Sequence, residues 1–175
     1  MKGNLAPEGA EVKHTAVPKE MFRAVLKARP FDSEEEAIAA ILHHEIQPGD
    51  AVFIRYEGPK GSGMPEMFYT TEALCADETL VSTTAIITDG RFSGASRGPC
   101  IGHISPEAAQ GGNLALIKDG DMISIDVPNR RIDAIGVDFE SRRKGFSYAP
   151  QKESGILGIY KKNAVSAMKG GYMDV

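Results

Sequence analysis

The sequence predicts a mixed α/β domain. Two observations carry this: strand-like apolar runs alternate with glycine-rich loops and helical segments in the first two thirds of the chain, and a run of short strands with tight turns follows. The loops fall immediately after apolar runs, where open sheets collect ligands beyond their strand C-termini.

The 175 residues suit one domain, and 42% hydrophobic with 25% charged residues is the balance of a soluble globular protein. A net charge of −4 argues against a nucleic-acid or anionic-membrane surface. No apolar run approaches the ~20 residues of a membrane span, and the start, Met1 to Glu8, lacks the apolar core of a signal peptide. Cys75 and Cys100 are too few for a disulfide scaffold, so a reducing, cytoplasmic setting is expected.

Taken in order, Ala10–Ala16 reads as a short strand. Lys19–Phe31 is ambiguous: Phe22, Val25 and Leu26 have helical spacing, but Pro30 limits a helix and part of the segment could be extended. Asp32–Ile46 is the clearest helix, with a Ser33/Glu36 capping box, acidic residues in the first turn and an apolar stripe through Ala37, Ile38, Ile41, Leu42 and Ile46. His43 and His44 are adjacent rather than one turn apart, so they read as solvent-facing residues, not a metal pair. Ala51–Tyr56 is β-branched and aromatic, hence a strand. Thr70–Ala76 reads as a helix, followed by a loop and the strand Ala85–Ile87. Thr88–His103 reads as one long loop, then Ser105–Ala109 as a helical turn capped by serine. Leu114–Ile117, Met122–Val127 and Arg131–Val137 read as strands, Asp138–Lys144 as a charged helix or turn, and Gly155–Met168 as a closing helix.

Chemistry is expected in the two glycine loops. Glu57–Met67 carries Lys60, Glu57 and Glu66, but Gly-Pro-Lys-Gly-Ser-Gly does not fit the phosphate-loop spacing. Glu66 reads either as a helix-start charge or as a ligand for a hard cation such as Mg²⁺. Thr88–His103 concentrates glycines, serines, arginines, a cysteine and a histidine, the hardware for holding an anion. Cys100 and His103 could be half a zinc site, but no paired motif supplies the other half. Ser93 is not in a Gly-x-Ser-x-Gly elbow, and no acid–histidine pair completes a triad.

Ile87-Thr88-Asp89-Gly90-Arg91-Phe92-Ser93-Gly94-Ala95-Ser96 resembles a signature of the dihydroxy-acid and phosphogluconate dehydratase family. Gly3–Gly9, Phe31–Ala37, Arg55–Gly61, Gly63–Met67, Gly102–Ala108 and Asp119–Asp121 resemble the same family in the same order, from residue 3 to about 136. The resemblance is to the C-terminal domain of enzymes about three times longer, and it implies a swivelling β/β/α domain like the small domain of aconitase-like proteins, here residues 1–175. It also implies a hydro-lyase that converts 2,3-dihydroxy acids to 2-oxo acids and is inactive without the N-terminal domain or large subunit, which carries the iron–sulfur cluster and most of the Mg²⁺ site. In that family the longer form is expected to be a homo-oligomer. Ser93 takes the role of catalytic base, Glu66 that of a Mg²⁺ ligand, and Arg91, Gly94, Ala95 and Ser96 lie near the substrate. Cys75 and Cys100 do not correspond to cluster ligands, so this chain is expected to bind no cofactor alone. Met67–Leu74 departs from the branched-chain pattern toward sugar-acid enzymes, which leaves the substrate open. A small subunit of a two-chain dehydratase and a stand-alone anion- or sugar-acid-binding module are the alternative readings.

Overall fold

A computed structural model describes residues 1–149 and 153–175. Seven strands form one mixed sheet: β1 (Gly9–Val12), β2 (Arg23–Phe31), β3 (Asp50–Ile54), β4 (Ala85–Thr88), β5 (Cys100–Ser105), β6 (Met122–Asp126) and β7 (Arg131–Ala134), in the order β1-β5-β4-β3-β2-β6-β7. The central four, β5-β4-β3-β2, run parallel; β1, β6 and β7 each pair antiparallel with their neighbours. The sheet curls toward a barrel, and residues 1–3 stitch its two edges together. Lys2 N–H donates to Arg130 O at 2.7 Å and Ile132 N–H to Lys2 O at 3.1 Å, while Ala10 N–H donates to Met1 O at 2.9 Å. Neither edge strand is therefore left with a fully open row of backbone groups. This mixed sheet with flanking helices is the α/β architecture expected from the sequence.

Alternation along the parallel strands builds two cores. Ala51 and Phe53 of β3, and Ala85 and Ile87 of β4, face the concave side with Leu5, Leu26, Ile101, Leu114 and Ile123. Val52, Ile54 and Ile86 face the convex side, against α1 (Glu34–Leu42), α2 (Phe68–Cys75) and α3 (Glu78–Thr83). Two further helices, α4 (Phe139–Arg143) and α5 (Gly155–Asn163), complete the chain.

Several expectations are corrected. Lys19–Phe31 is a single 3₁₀ turn followed by a nine-residue strand, so the helical spacing was overruled by pairing on both sides. Pro30 fits there because it lies beyond the last β6 pair, Lys27↔Met122, where a missing N–H breaks no ladder bond. The expected strand Ala10–Ala16 ends at Val12, and residues 14–16 form a 3₁₀ turn. Leu114–Ile117 is no strand: Asn113–Leu116 is a buried 3₁₀ turn, and burial on every side removes the periodicity that separates the two. The loop expected after Ala76 contains α3, capped by Asp77, whose carboxylate accepts from Thr79 N–H and Leu80 N–H. Thr88–His103 is not one loop, because its last residues belong to β5. Ser105 ends β5 rather than capping a turn; the 3₁₀ turn is Ala108–Gln110 with Glu107 before it.

The first helix is shorter than its pattern, ending at Leu42. Ser33 caps it as expected, accepting from Glu36 N–H at 3.2 Å, while Glu36 reaches back to Asp32 N–H at 3.0 Å. His43 and His44 are exposed beyond its end, as read. The closing helix stops at Asn163 rather than Met168.

Candidate active site

Because β3 and β4 are adjacent and parallel, their following loops leave the sheet at the same edge. Residues 89–99 are themselves the crossover that returns the chain to β5, with no helix in between. Such a connection has little apolar surface to hold it, and buried carboxylates take that task.

Asp89 is fully buried at the head of the crossover. Its Oδ1 accepts from Glu57 N–H at 2.9 Å and its Oδ2 from Ala108 N–H at 2.8 Å. Burial pushes its carboxyl up to about 7; the two N–H donors pull the other way, and nearby Glu107 adds to the rise. Glu107, also buried, accepts from Lys60 N–H at 2.9 Å and Gly61 N–H at 3.0 Å, fixing the first glycine loop; burial raises its carboxyl too. Glu57 is pushed up by burial as well, and accepts from the Ser62 hydroxyl and from Glu34 N–H at 3.3 Å, the start of α1. Glycine is obligatory at Gly58, where a β-carbon would overlap the Glu107 carboxylate.

On this frame Ser93 is half-buried. Its Oγ accepts from Ala95 N–H at 3.1 Å and its carbonyl from Ser96 N–H at 3.2 Å, so residues 93–96 form a tight turn. The Lys13 ammonium donates to Gly94 O and ties this turn to the end of β1. Gly94 is exposed, with no atom within 4 Å of where a β-carbon would stand, so nothing in this domain requires glycine there. Ser93, Gly94 and Ser96 line one cavity of about 280 Å³ with Lys13, Phe92 and His103. Arg91, Ala95 and Glu66 lie outside that lining.

Glu66 and Arg91 meet instead through their backbones. They form a bridge in which Met67 N–H donates to Arg91 O at 2.8 Å, splicing the tip of one loop to the base of the other. The Glu66 side chain is exposed and makes no ion pair among the described residues.

The resemblance implies two metal groups, an iron–sulfur cluster and Mg²⁺. Among the described residues no three His, Cys, Asp or Glu side chains converge as a metal site. Cys100 is buried with its thiol pushed up to about 12 by desolvation, its Sγ on Arg97 O at 3.3 Å, and burial raises Cys75 also. With only two cysteines in the chain, and neither in a group of three ligand-type side chains among the described residues, an iron–sulfur centre does not fit this donor set. Glu66 fits Mg²⁺ as a single oxygen ligand and no more. Among the described residues Cys100 and His103 are likewise part of no group of three ligand-type side chains that could hold zinc.

No sequence motif assigns a role to Asp89, Glu107, Glu57, Lys13 or Glu11. Asp89 and Glu107 stand inside quoted motifs, but their partners are far along the chain, and only the topology reveals them.

A parallel-centred sheet with two spliced glycine loops and a serine turn at its edge defines a mixed α/β domain with its polar loops gathered at one end of the strands. The chain belongs to the family described as dihydroxy-acid/6-phosphogluconate dehydratase C-terminal, which matches residues 1–171. It is 51% identical over 177 residues to the dihydroxy-acid dehydratase of Methanothrix thermoacetophila, covering 99% of this chain. It is 52% identical to that of Methanococcoides burtonii and 49% to that of Thermodesulfovibrio yellowstonii, again over 99% of the chain. In each case it spans 32% of the relative's own length.

Proposed function

We propose that this chain is the base-bearing C-terminal domain of a hydro-lyase that dehydrates 2,3-dihydroxy acids to 2-oxo acids, completed by the N-terminal region its relatives possess. The bridge between Glu66 and Arg91 carries the reading, because it makes the loop with a free carboxylate and the loop with Ser93 one unit at the sheet edge.

In this reading Ser93 removes the C2 proton, the C3 hydroxyl departs, and the enol becomes a 2-oxo acid. A serine serves as base only as an alkoxide, which needs donors and positive charge around Oγ. Ala95 N–H supplies one donor and the Lys13 ammonium lies on the adjacent carbonyl. A Mg²⁺ held in part by Glu66 would supply Lewis acidity and the remaining positive potential. Its other ligands have to come from outside this domain, since Mg²⁺ takes an octahedral oxygen set. The open side of Gly94 lets a substrate approach the backbone closely, with Arg91, Ala95 and Ser96 around it. The two free cysteines support a reducing cytoplasm, and the exposed Ile156 and Ile159 of α5 support burial against further protein in a homo-oligomer of the longer chain.

Ser93→Ala in the longer chain is expected to abolish 2-oxo-acid formation while leaving the melting temperature within about 2 °C, the range of a neutral surface change. Retained turnover in that variant refutes the assignment.

A further inference from the structure

We propose that His103 is a proton-relay and positioning residue for Ser93, a role that rests on Ser93 being the base. Three observations converge on it. His103 sits inside β5 with φ of +57°, a left-handed conformation that costs a non-glycine residue free energy. The strain coincides with a β-bulge: Gly9 pairs with Ser105 but Glu11 pairs with Gly102, so β5 carries one residue more than β1 across this interval. Bulges re-aim side chains, and this one puts the His103 imidazole into the lining of the Ser93 cavity. Finally, His103 Nδ1 is buried and makes no hydrogen bond among the described residues. It faces Glu11 Oε2 at 3.4 Å, and that carboxylate is itself 63% exposed to water.

A buried polar atom with no hydrogen bond and only a long contact to an exposed side chain is costly and asks for an explanation. The same cavity holds a second one, Ser96 Oγ, on a residue that is 8% exposed. At about 280 Å³ the cavity, lined by both Ser93 and His103, has room for several water molecules. Glu11 faces the imidazole, and the other charged or titratable residues lining the cavity are Lys13, beyond the end of β1, and Cys100 of β5.

The step assigned is a proton transfer. After Ser93 has taken the C2 proton, its hydroxyl gives that proton through water to the neutral imidazole, restoring the alkoxide. The imidazolium, with the Glu11 carboxylate 3.4 Å from Nδ1, then releases the proton to bulk water and returns to the neutral form.

His103→Gly tests this, because glycine accepts φ of +57° and relieves the strain rather than adding to it. In the longer, cofactor-loaded chain it is expected to lower kcat about 100-fold, the lower end of what general acid–base groups contribute. KM stays within threefold, and added imidazole restores at least a tenth of the activity. Glu11→Gln, on an exposed side chain, is expected to shift the pH profile of kcat without changing the fold. A His103→Gly variant with more than a third of wild-type kcat overturns the proposal, as does a loss that imidazole leaves unrepaired and an unshifted profile in Glu11→Gln. Ser93→Ala run alongside separates the two readings: turnover there sinks the base assignment, whereas an inert Ser93→Ala with a fully active His103→Gly sinks only the relay.

Discussion

Asp89 shows how one side chain can hold a site it does not enter. Its two oxygens bracket residues 57 and 108, and burial holds its carboxyl near 7 against an ordinary 3.8. Between about pH 4 and 7 the native protein therefore keeps a proton that the unfolded chain has released. The native state binds more protons there, so this group's contribution to stability falls as pH rises through that window and is constant above it. Asp89→Asn removes the titration and turns one acceptor into a donor facing an N–H, which costs about 1–3 kcal/mol. Melting curves from pH 4 to 8 check this: the variant starts lower, and its melting temperature falls less steeply with pH than that of the wild type. Parallel curves contradict the assignment. None of this was readable from the sequence, because a carboxylate in a glycine loop looks the same whether it is solvated or buried.

At the scale of elements, the closing segment and the serine turn use glycine for opposite reasons. A β-carbon at Gly3 would overlap the carbonyl of Ile132, so Gly3→Ala pushes the first residues off β7 and opens the stitched edge. A loss above about 2 kcal/mol is expected in chemical denaturation, in line with steric insertion at packed sites. Gly94→Ala meets nothing and leaves stability within about 0.5 kcal/mol, yet it lowers kcat/KM in the longer chain if substrate approaches that face. Equal stability effects for the two variants would refute this contrast. The elements that the sequence identified, α1, α2, β3, β4, β6 and β7, are those whose pattern is local. Cys100–His103 reads as loop from its concentration of glycine and polar residues; it belongs to a strand because β1 and β4 pair with it on either side.

For the whole molecule, two cores on one curled sheet give this chain an interior of its own, the larger drawing on residues from Leu5 to Phe139 along the sequence. Its loops nevertheless end at an open edge, and the chain spans a third of the length of its relatives. The purified 175-residue chain is therefore expected to unfold in one cooperative transition while producing no 2-oxo acid and showing no cluster absorbance. Measurable turnover by this polypeptide alone would count against the shared site.

What the residues determined by themselves was kinship and local form. An ordered series of motifs points to one family whatever the fold, and a capping box or an alternating strand is written in neighbouring positions. What only the tertiary structure decided was partnership. Asp89 joins residues 57 and 108, Glu107 joins the first glycine loop, and a bulge between β1 and β5 turns His103 toward the cavity of Ser93. Each depends on the order in which strands lie side by side, and that order is set by which apolar faces can be buried together, a property of the whole chain rather than of any window along it.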